Sequence, residues 1–337
     1  MNRSPRERRM PTGASPVETP EVEAGIARTT TPKYVLGFES GMQGRATAPA
    51  AGTVLNALAT GVGSAFAIDA DTTATVTLDA DADGDASVTG TVADAPDADT
   101  ALVERCVELA VDRWGGDAEV DPATVGGEVH TESDVPMAAG LKSSSAAANA
   151  TVLATASALD ADPDPLDACR LGVQAARDAG VTVTGAFDDA SASMLGGLTR
   201  TDNTADELLA HDDVDWSVLV WTPPERAYSA DADVSRCEHV APMAGLVDEL
   251  AAAGEYGRAM TVNGLAFTAA LDFDPAPIVD ALPDATGASL SGTGPSYVAV
   301  FDPEDDADDR DRVEARWRER DGDVWTTTTR SDGARIL

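Results

Sequence analysis

Lysine is almost missing from this sequence. The 337 residues include two, Lys33 and Lys142, against 21 arginines. With 59 acidic and 23 basic residues, the formal charge is −36. Such a surface repels nucleic acid and anionic membranes, which excludes both as partners. Aromatics are scarce at 4%, so a core must be filled by Ala, Val and Leu, in tightly packed helices of small residues. Cys106, Cys169 and Cys237 lie far apart with no CxxC spacing, which excludes a disulfide framework and reads as small buried apolar groups in a reducing compartment. His130, His211 and His239 are equally scattered, so no His/Cys metal cluster is visible. No charge-free apolar run reaches about 18 residues, the length a membrane span needs. The opening MNRSPRERRMP lacks the apolar stretch of a secretory signal. A cytoplasmic protein is expected.

The acid is spread along the whole chain, with Asp favoured over Glu. An acidic partner-binding protein is one reading. The pattern fits better with a protein adapted to a salt-saturated cytoplasm, in which case the charge carries little information about substrate. An apolar share of 43% can fill a core, and the length suits two ordinary domains. Residues 1–41 are aperiodic and, at the start, rich in Arg, Pro, Thr and Glu; they are expected to be a disordered extension or to precede the true start at Met42.

Beyond Met42, helical spacing predicts helices over 101–113, 144–159, 166–178, 243–253, 255–271, 275–282 and 308–320. Strands are predicted at 66–68, 74–78, 126–131, 216–221, 297–301 and 324–329, with a short helix or turn at 53–60 and a surface turn at DADADGDAS. Runs of strands and runs of helices favour an α+β fold over a doubly wound sheet.

One of the two lysines sits inside PMAAGLKSSSAAA, residues 136–148. Pro136 ends a strand, Gly140 permits a turn closed to other residues, and Ser143, Ser144 and Ser145 open a helix. Free N–H groups and the positive end of the dipole collect at a helix start, making an anion site. The three hydroxyls can cap the helix, bind phosphate oxygens, or hold Mg²⁺ through Ser144 or Ser145. The Walker pattern GxxxxGK[ST] is absent. An ordinary capped helix explains the glycine and serines but not the lysine. A cation beside a preformed anion pocket fits a ligand with several negative charges.

These residues resemble a known family. Pro136-Met137-Ala138-Ala139-Gly140-Leu141-Lys142-Ser143-Ser144-Ser145-Ala146 is similar to the ATP-binding signature of the GHMP kinases. Ala48-Pro49-Ala50-Ala51-Gly52-Thr53 with Asn56 resembles that family's N-terminal motif, and Ser291-Gly292-Thr293-Gly294-Pro295-Ser296 its C-terminal glycine motif. Three ordered motifs cover about 42–337. Within the family the likeness is to the archaeal type of shikimate kinase, carried by GLKSSSA, with lysine where glycine is usual, by TGAFDDASAS and by NALATGVGSAFAID. The resemblance implies a two-domain fold: an S5-like ATP-binding domain over 42–195 and a ferredoxin-like domain over 196–337. It implies Mg²⁺ and ATP, held along 136–146 with Gly292 and Gly294 near the phosphates, and transfer of a phosphoryl group to the 3-hydroxyl of shikimate in aromatic amino-acid biosynthesis. Its partners are then two small molecules, with self-association left open.

Asp188 and Asp189 are paired acids in a small, apolar segment, TGAFDDASASMLGG. Such a setting can hold a carboxylate against a reacting hydroxyl. Gly196-Gly197 lies seven or eight residues on, so spacing does not choose between the two. Lys142 is the third candidate catalytic group. Shikimate carries a carboxylate and needs a cation; Arg45 leads the candidates ahead of Arg177 and Arg258, while Asp188 is also a candidate substrate contact. The rivals are a homoserine or mevalonate kinase of the same fold, or a non-catalytic nucleotide-binding protein.

Overall fold

Two very long strands, rich in small apolar residues and threonine, make the frame. The computed structural model describes residues 42–80, 87–93, 95–116, 118, 120–135, 139–224 and 232–337. The tail 1–41, the acidic turn at 81–86 and Pro136–Ala138 lie outside the described residues. Strand β1 (Met42–Leu55) pairs antiparallel with β2 (Val62–Asp79) along nearly its whole length. In the second half of β2, Ala74, Val76 and Leu78 are buried while Thr73, Thr75 and Thr77 are half-covered, the period-2 pattern of a one-sided sheet. The expected strands 66–68 and 74–78 are therefore one element. The aspartates between them, which read as a break, are matched from a distance: Arg330 donates to Asp71 at 2.7 Å. Of the expected helix or turn at 53–60, Thr53–Leu55 close β1 and only the remainder turns.

Strand β3 (Val88–Val92) pairs parallel with β4 (Gly126–Ser133), and β4 with β2. After the helices α1 (Ala101–Trp114), α2 (Ser143–Ala158), α3 (Pro165–Asp178) and α4 (Phe187–Leu195), strands β5 (Leu198–Asp202) and β6 (Glu207–Asp212) extend the same sheet from the near end of β2. Its seventh strand is β11 (Arg335–Ile336). Helix α2 buries eleven of its sixteen residues, nearly all Ala, Thr or Val. A helix apolar all round belongs inside, and small side chains let it lie directly on the sheet. Gly44 of β1 touches the α2 backbone so closely that a Cβ there would collide with the Ala154 carbonyl.

The second sheet runs β10–β7–β9–β8, from β7 (Ser217–Thr222), β8 (Gly287–Leu290), β9 (Tyr297–Phe301) and β10 (Asp323–Thr328), all antiparallel. In order of appearance this is 4-1-3-2, the ferredoxin-like β-α-β-β-α-β arrangement. Helices α5 (Ala241–Ala252), α6 (Tyr256–Ala270) and α7 (Ala276–Ala281) follow β7, and α8 (Ala307–Trp317) follows β9. Val218, Val220, Val298 and Val300 share a core with Phe66, Ile68 and Leu198 of the first sheet. The opposite face packs under Ile278, Val313 and the fully buried Trp317. The two sheets and their helices are the expected α+β fold. Strands β3, β5, β6, β8 and β11 were not anticipated; they have two to six residues, too short for a burial pattern to mark them.

Candidate active site

Gly140 stands at φ +78° and Lys142 at φ +64°. The two left-handed residues fold the loop so that its carbonyls turn away from the start of α2. The Gly140 carbonyl accepts from the Ser291 hydroxyl at 2.8 Å, and the Leu141 carbonyl from the Ala51 N–H at 3.2 Å. What remains at the head of α2 is donors. The first intrahelical bond runs from the Ala146 N–H to the Lys142 carbonyl, which leaves the amides of Ser143, Ser144 and Ser145 outside the helix ladder. The N-cap makes no side-chain cap bond, and the three serine hydroxyls have no hydrogen-bond partner among the described residues. Of the roles open to these serines, side-chain capping is not taken up.

The three motifs meet here. The Gly292 N–H donates to Thr53 Oγ1 at 2.9 Å, and Asn56 Nδ2 donates to the Gly292 carbonyl at 2.7 Å. Asn263 of α6 accepts from the Asn56 N–H at 2.9 Å and donates to Ser289 Oγ at 3.0 Å. Both loops need bare backbone. A Cβ on Gly140 would sit 2.7 Å from the Ser291 carbonyl oxygen, and one on Gly292 would sit 2.7 Å from the Lys142 ammonium.

Lys142 Nζ lies 2.8 Å from Asp189 Oδ1, with the two side chains only 7% and 14% exposed. This answers why the lysine is there. A non-glycine residue in the left-handed region costs about 1–2 kcal/mol, and a buried cation costs more; the ion pair with Asp189 offsets both. Asp188 is buried at 4% and separates from its neighbour. Its Oδ1 accepts from Asn203 Nδ2 at 2.7 Å, and its other oxygen lies against Gly63, where a Cβ would collide with it. Burial first, then the charge of Asp189, pushes the Asp188 carboxyl up to about 7, against the pull of Lys142 and Asn203. The start of α4 is tied to α2 by Asn149 Nδ2, which donates to the Ala190 carbonyl at 2.9 Å.

A cavity of about 970 Å³ opens between these groups and the helices. One end is lined by Gly140, Lys142, the three serines, Asp189 and Gly292, the other by apolar residues such as Val92, Leu102, Val103 and Val173. One end thus presents amides, hydroxyls and an ion pair, the other aliphatic side chains. Among the described residues no group of three or more His, Cys, Asp or Glu could hold a metal.

The other expected residues are placed differently. Arg45 is exposed near the start of β1, the end of the strand that packs on the C-terminal turns of α2; the loop lies at the opposite end of that helix. Arg258 is exposed and paired with Glu255. Arg177 binds Asp206 through two nitrogens at 2.6 and 2.7 Å, behind Gly185. None of the three lines the cavity. Gly294 sets its carbonyl against Gly140, where a Cβ on Gly140 would lie 2.6 Å from it, while its own Cα faces Phe273. Asn203, Gly63 and Asn149 were not anticipated as site residues; Gly63 lies in the stretch NALATGVGSAFAID, but nothing local in the sequence shows that it faces Asp188.

The GHMP kinases N terminal domain matches residues 101–197, which include the loop, α2 and α4. A shikimate kinase of Halobacterium salinarum is 64% identical over 296 residues, spanning 87% of this chain and 99% of that one. The chain belongs to the shikimate kinases. A second shikimate kinase, from Methanosarcina mazei, is 44% identical over 87% of this chain and 96% of its own. Solved structures show the fold these shikimate kinases share with more distant enzymes. The homoserine kinase of Cytophaga hutchinsonii aligns with a TM-score of 0.66 at 17% identity, over 90% of this chain and 100% of that one. The mevalonate kinase of Methanococcus jannaschii aligns at 0.65 and 14%, over 87% and 99%. At such identities the likeness concerns architecture, while the kinship with shikimate kinases covers nearly their whole length.

Proposed function

We infer that this chain transfers the γ-phosphoryl group of ATP to the 3-hydroxyl of shikimate, forming shikimate 3-phosphate for aromatic amino-acid biosynthesis. The observation that carries the reading is the Lys142–Asp189 pair, set 2.8 Å apart at the donor-rich end of the cavity, in a chain so close to enzymes named for this reaction.

The free amides and hydroxyls of Ser143–Ser145 are the groups for the triphosphate, with the slot beside Leu102 and Val173 for the base. The fit is supported by the close approach of Gly140 and Gly292, which leaves room only for backbone, and by hydroxyls with no internal partner. Ser144 or Ser145 is the protein ligand for Mg²⁺. When bound, the metal neutralises phosphate charge, which matters in a cavity whose one lysine is already paired. Asp189 is the carboxylate that orients the 3-hydroxyl and accepts its proton as the new oxygen–phosphorus bond forms. Lys142 holds that carboxylate in place and brings positive charge to the oxygens of the group being transferred. Asp188 stands behind as a support. The residues fall into two functional parts: 42–195 supplies the loop, the cation and the carboxylates, and 196–337 supplies the glycine loop that closes against them.

The acidic, lysine-poor composition supports a salt-adapted cytoplasmic enzyme. Among the described residues no helix is long and apolar enough to cross a membrane. Purified protein in concentrated KCl with Mg·ATP should release ADP when offered shikimate, in an assay coupled to ADP formation, and not when offered homoserine or mevalonate. Turnover of homoserine without turnover of shikimate would reverse the substrate. ATP binding with no transfer to any of the three would turn the reading into that of a non-catalytic nucleotide-binding protein.

A further inference from the structure

Asn203 belongs to none of the three motifs and does not line the cavity, yet it holds the catalytic helix by two hydrogen bonds. It lies in the turn after β5 and is 2% exposed. Its Nδ2 donates to Asp188 Oδ1 at 2.7 Å, and its Oδ1 accepts from the Asp188 N–H at 3.1 Å. One amide thus grips one residue at both its carboxylate and its backbone. The second bond also fills a place left open, because Ala186, the N-cap of α4, makes no side-chain cap bond and stands at φ +52°. Asn203 caps α4 from another element.

The amide is itself held in place. Oδ1 also accepts from the Thr201 hydroxyl at 2.8 Å, which fixes which end of the side chain faces which partner. The Asn203 N–H donates to the Gly61 carbonyl at 2.8 Å, just before β2. Its own carbonyl accepts from Arg177 of α3 at 3.3 Å, and Arg177 is locked by two bonds to Asp206. The neighbours that face Asp188 from β2 and β5, Gly63 and Thr199, are uncharged; the charges near it are Asp189 and Lys142.

We propose that Asn203 is a positioning residue for phosphoryl transfer: by clamping Asp188 at two points it sets the first turn of α4, and so the placement of Asp189 against Lys142 and the substrate hydroxyl. The proposal rests on the reading of Asp189 as the proton acceptor. A shift on the order of 1 Å in such a group can cost about 100-fold in rate, while nucleotide binding at the head of α2 is untouched. The expected signature is therefore a fall in kcat with little change in the KM for ATP.

The test uses the purified enzyme with Mg·ATP and shikimate. Asn203→Leu removes both bonds at nearly constant volume, and kcat should fall roughly 10- to 100-fold, with the KM for ATP within about twofold of wild type. Asn203→Asp keeps the acceptor but sets one carboxylate against another, and should fall at least as far. Adding Asp188→Asn to Asn203→Asp exchanges donor and acceptor across the same contact, and should recover at least about tenfold of the lost kcat. Wild-type kcat in Asn203→Leu overturns the proposal. So does a double variant no faster than Asn203→Asp alone, which would make Asp188 itself the reacting carboxylate. If Asn203→Leu does not fold, the comparison of Asn203→Asp with its double variant decides alone. An inactive wild-type enzyme in the same assay would instead strike the shikimate kinase reading.

Discussion

Replacing Lys142 with Met keeps the length of the side chain and removes its charge. At 2.8 Å, with an effective dielectric constant of about 20, the lost attraction to Asp189 is about 6 kcal/mol before desolvation. Removing one member of a buried pair costs about 3–5 kcal/mol in practice, because the other is left uncompensated. Without the ammonium, Asp189 loses the partner that fixes it beside the head of α2, and the group being transferred loses a positive charge. Lys142→Met should therefore lower kcat by at least about 1,000-fold at neutral pH and lower the unfolding free energy by about 3 kcal/mol. Asp189→Asn should be comparably inactive. In the double variant Lys142→Met with Asp189→Asn, most of the lost stability should return, with a coupling of about 2–3 kcal/mol read from unfolding in concentrated KCl. Activity should not return. Calorimetric unfolding of the four proteins, with ADP release measured alongside, checks both. Additive stability losses, or Lys142→Met within tenfold of wild-type kcat, would refute the pairing argument.

Other perturbations follow from the same geometry. Gly292→Ala drives a methyl group to 2.7 Å from the Lys142 ammonium at a residue with φ +58°, so kcat should fall on the order of 100-fold with the fold intact by circular dichroism. Asp188, raised to about 7 from its ordinary value of 3.8, binds its proton more tightly in the folded chain than in the unfolded one. Its contribution to stability is thus greatest below about pH 4 and is lost as pH rises through about 7. Asp188→Asn should accordingly unfold at a higher temperature than wild type at pH 8 and show little gain at pH 4. Arg45→Ala, at an exposed site away from the loop, should leave the KM for shikimate within about twofold. Removing Mg²⁺ with a chelator should abolish turnover and weaken ATP binding, read by calorimetry.

Much of the loop at the head of α2 was legible in the sequence because its parts are local. Gly140, the serines and the alanine run are contiguous, and together they read as a turn entering a helix. The roles of Lys142, Asp188 and Asp189 were only half legible. Adjacent aspartates on a helix diverge by about 100°, and which one faces the cavity depends on where β2 and β5 lie. Gly63 and Asn203 decide that by admitting Asp188 to a buried niche, and both are remote in sequence. Arg45 was favoured because it precedes a motif, but β1 is fourteen residues long, and strand length carried it away from the loop. The short strands escaped notice for a similar reason: Glu207–Asp212 is mostly exposed, with pairing rather than burial pattern as its organising contact.

The most direct test is a crystal structure of the enzyme with a non-hydrolysable ATP analogue, Mg²⁺ and shikimate in concentrated KCl. The account predicts phosphate oxygens on the amides of Ser143–Ser145 and the 3-hydroxyl of shikimate within hydrogen-bond distance of the Asp189 carboxylate, with Asp188 still held by Asn203. An analogue bound away from the head of α2, or a 3-hydroxyl facing Asp188 while Asp189 stays turned aside, would contradict it.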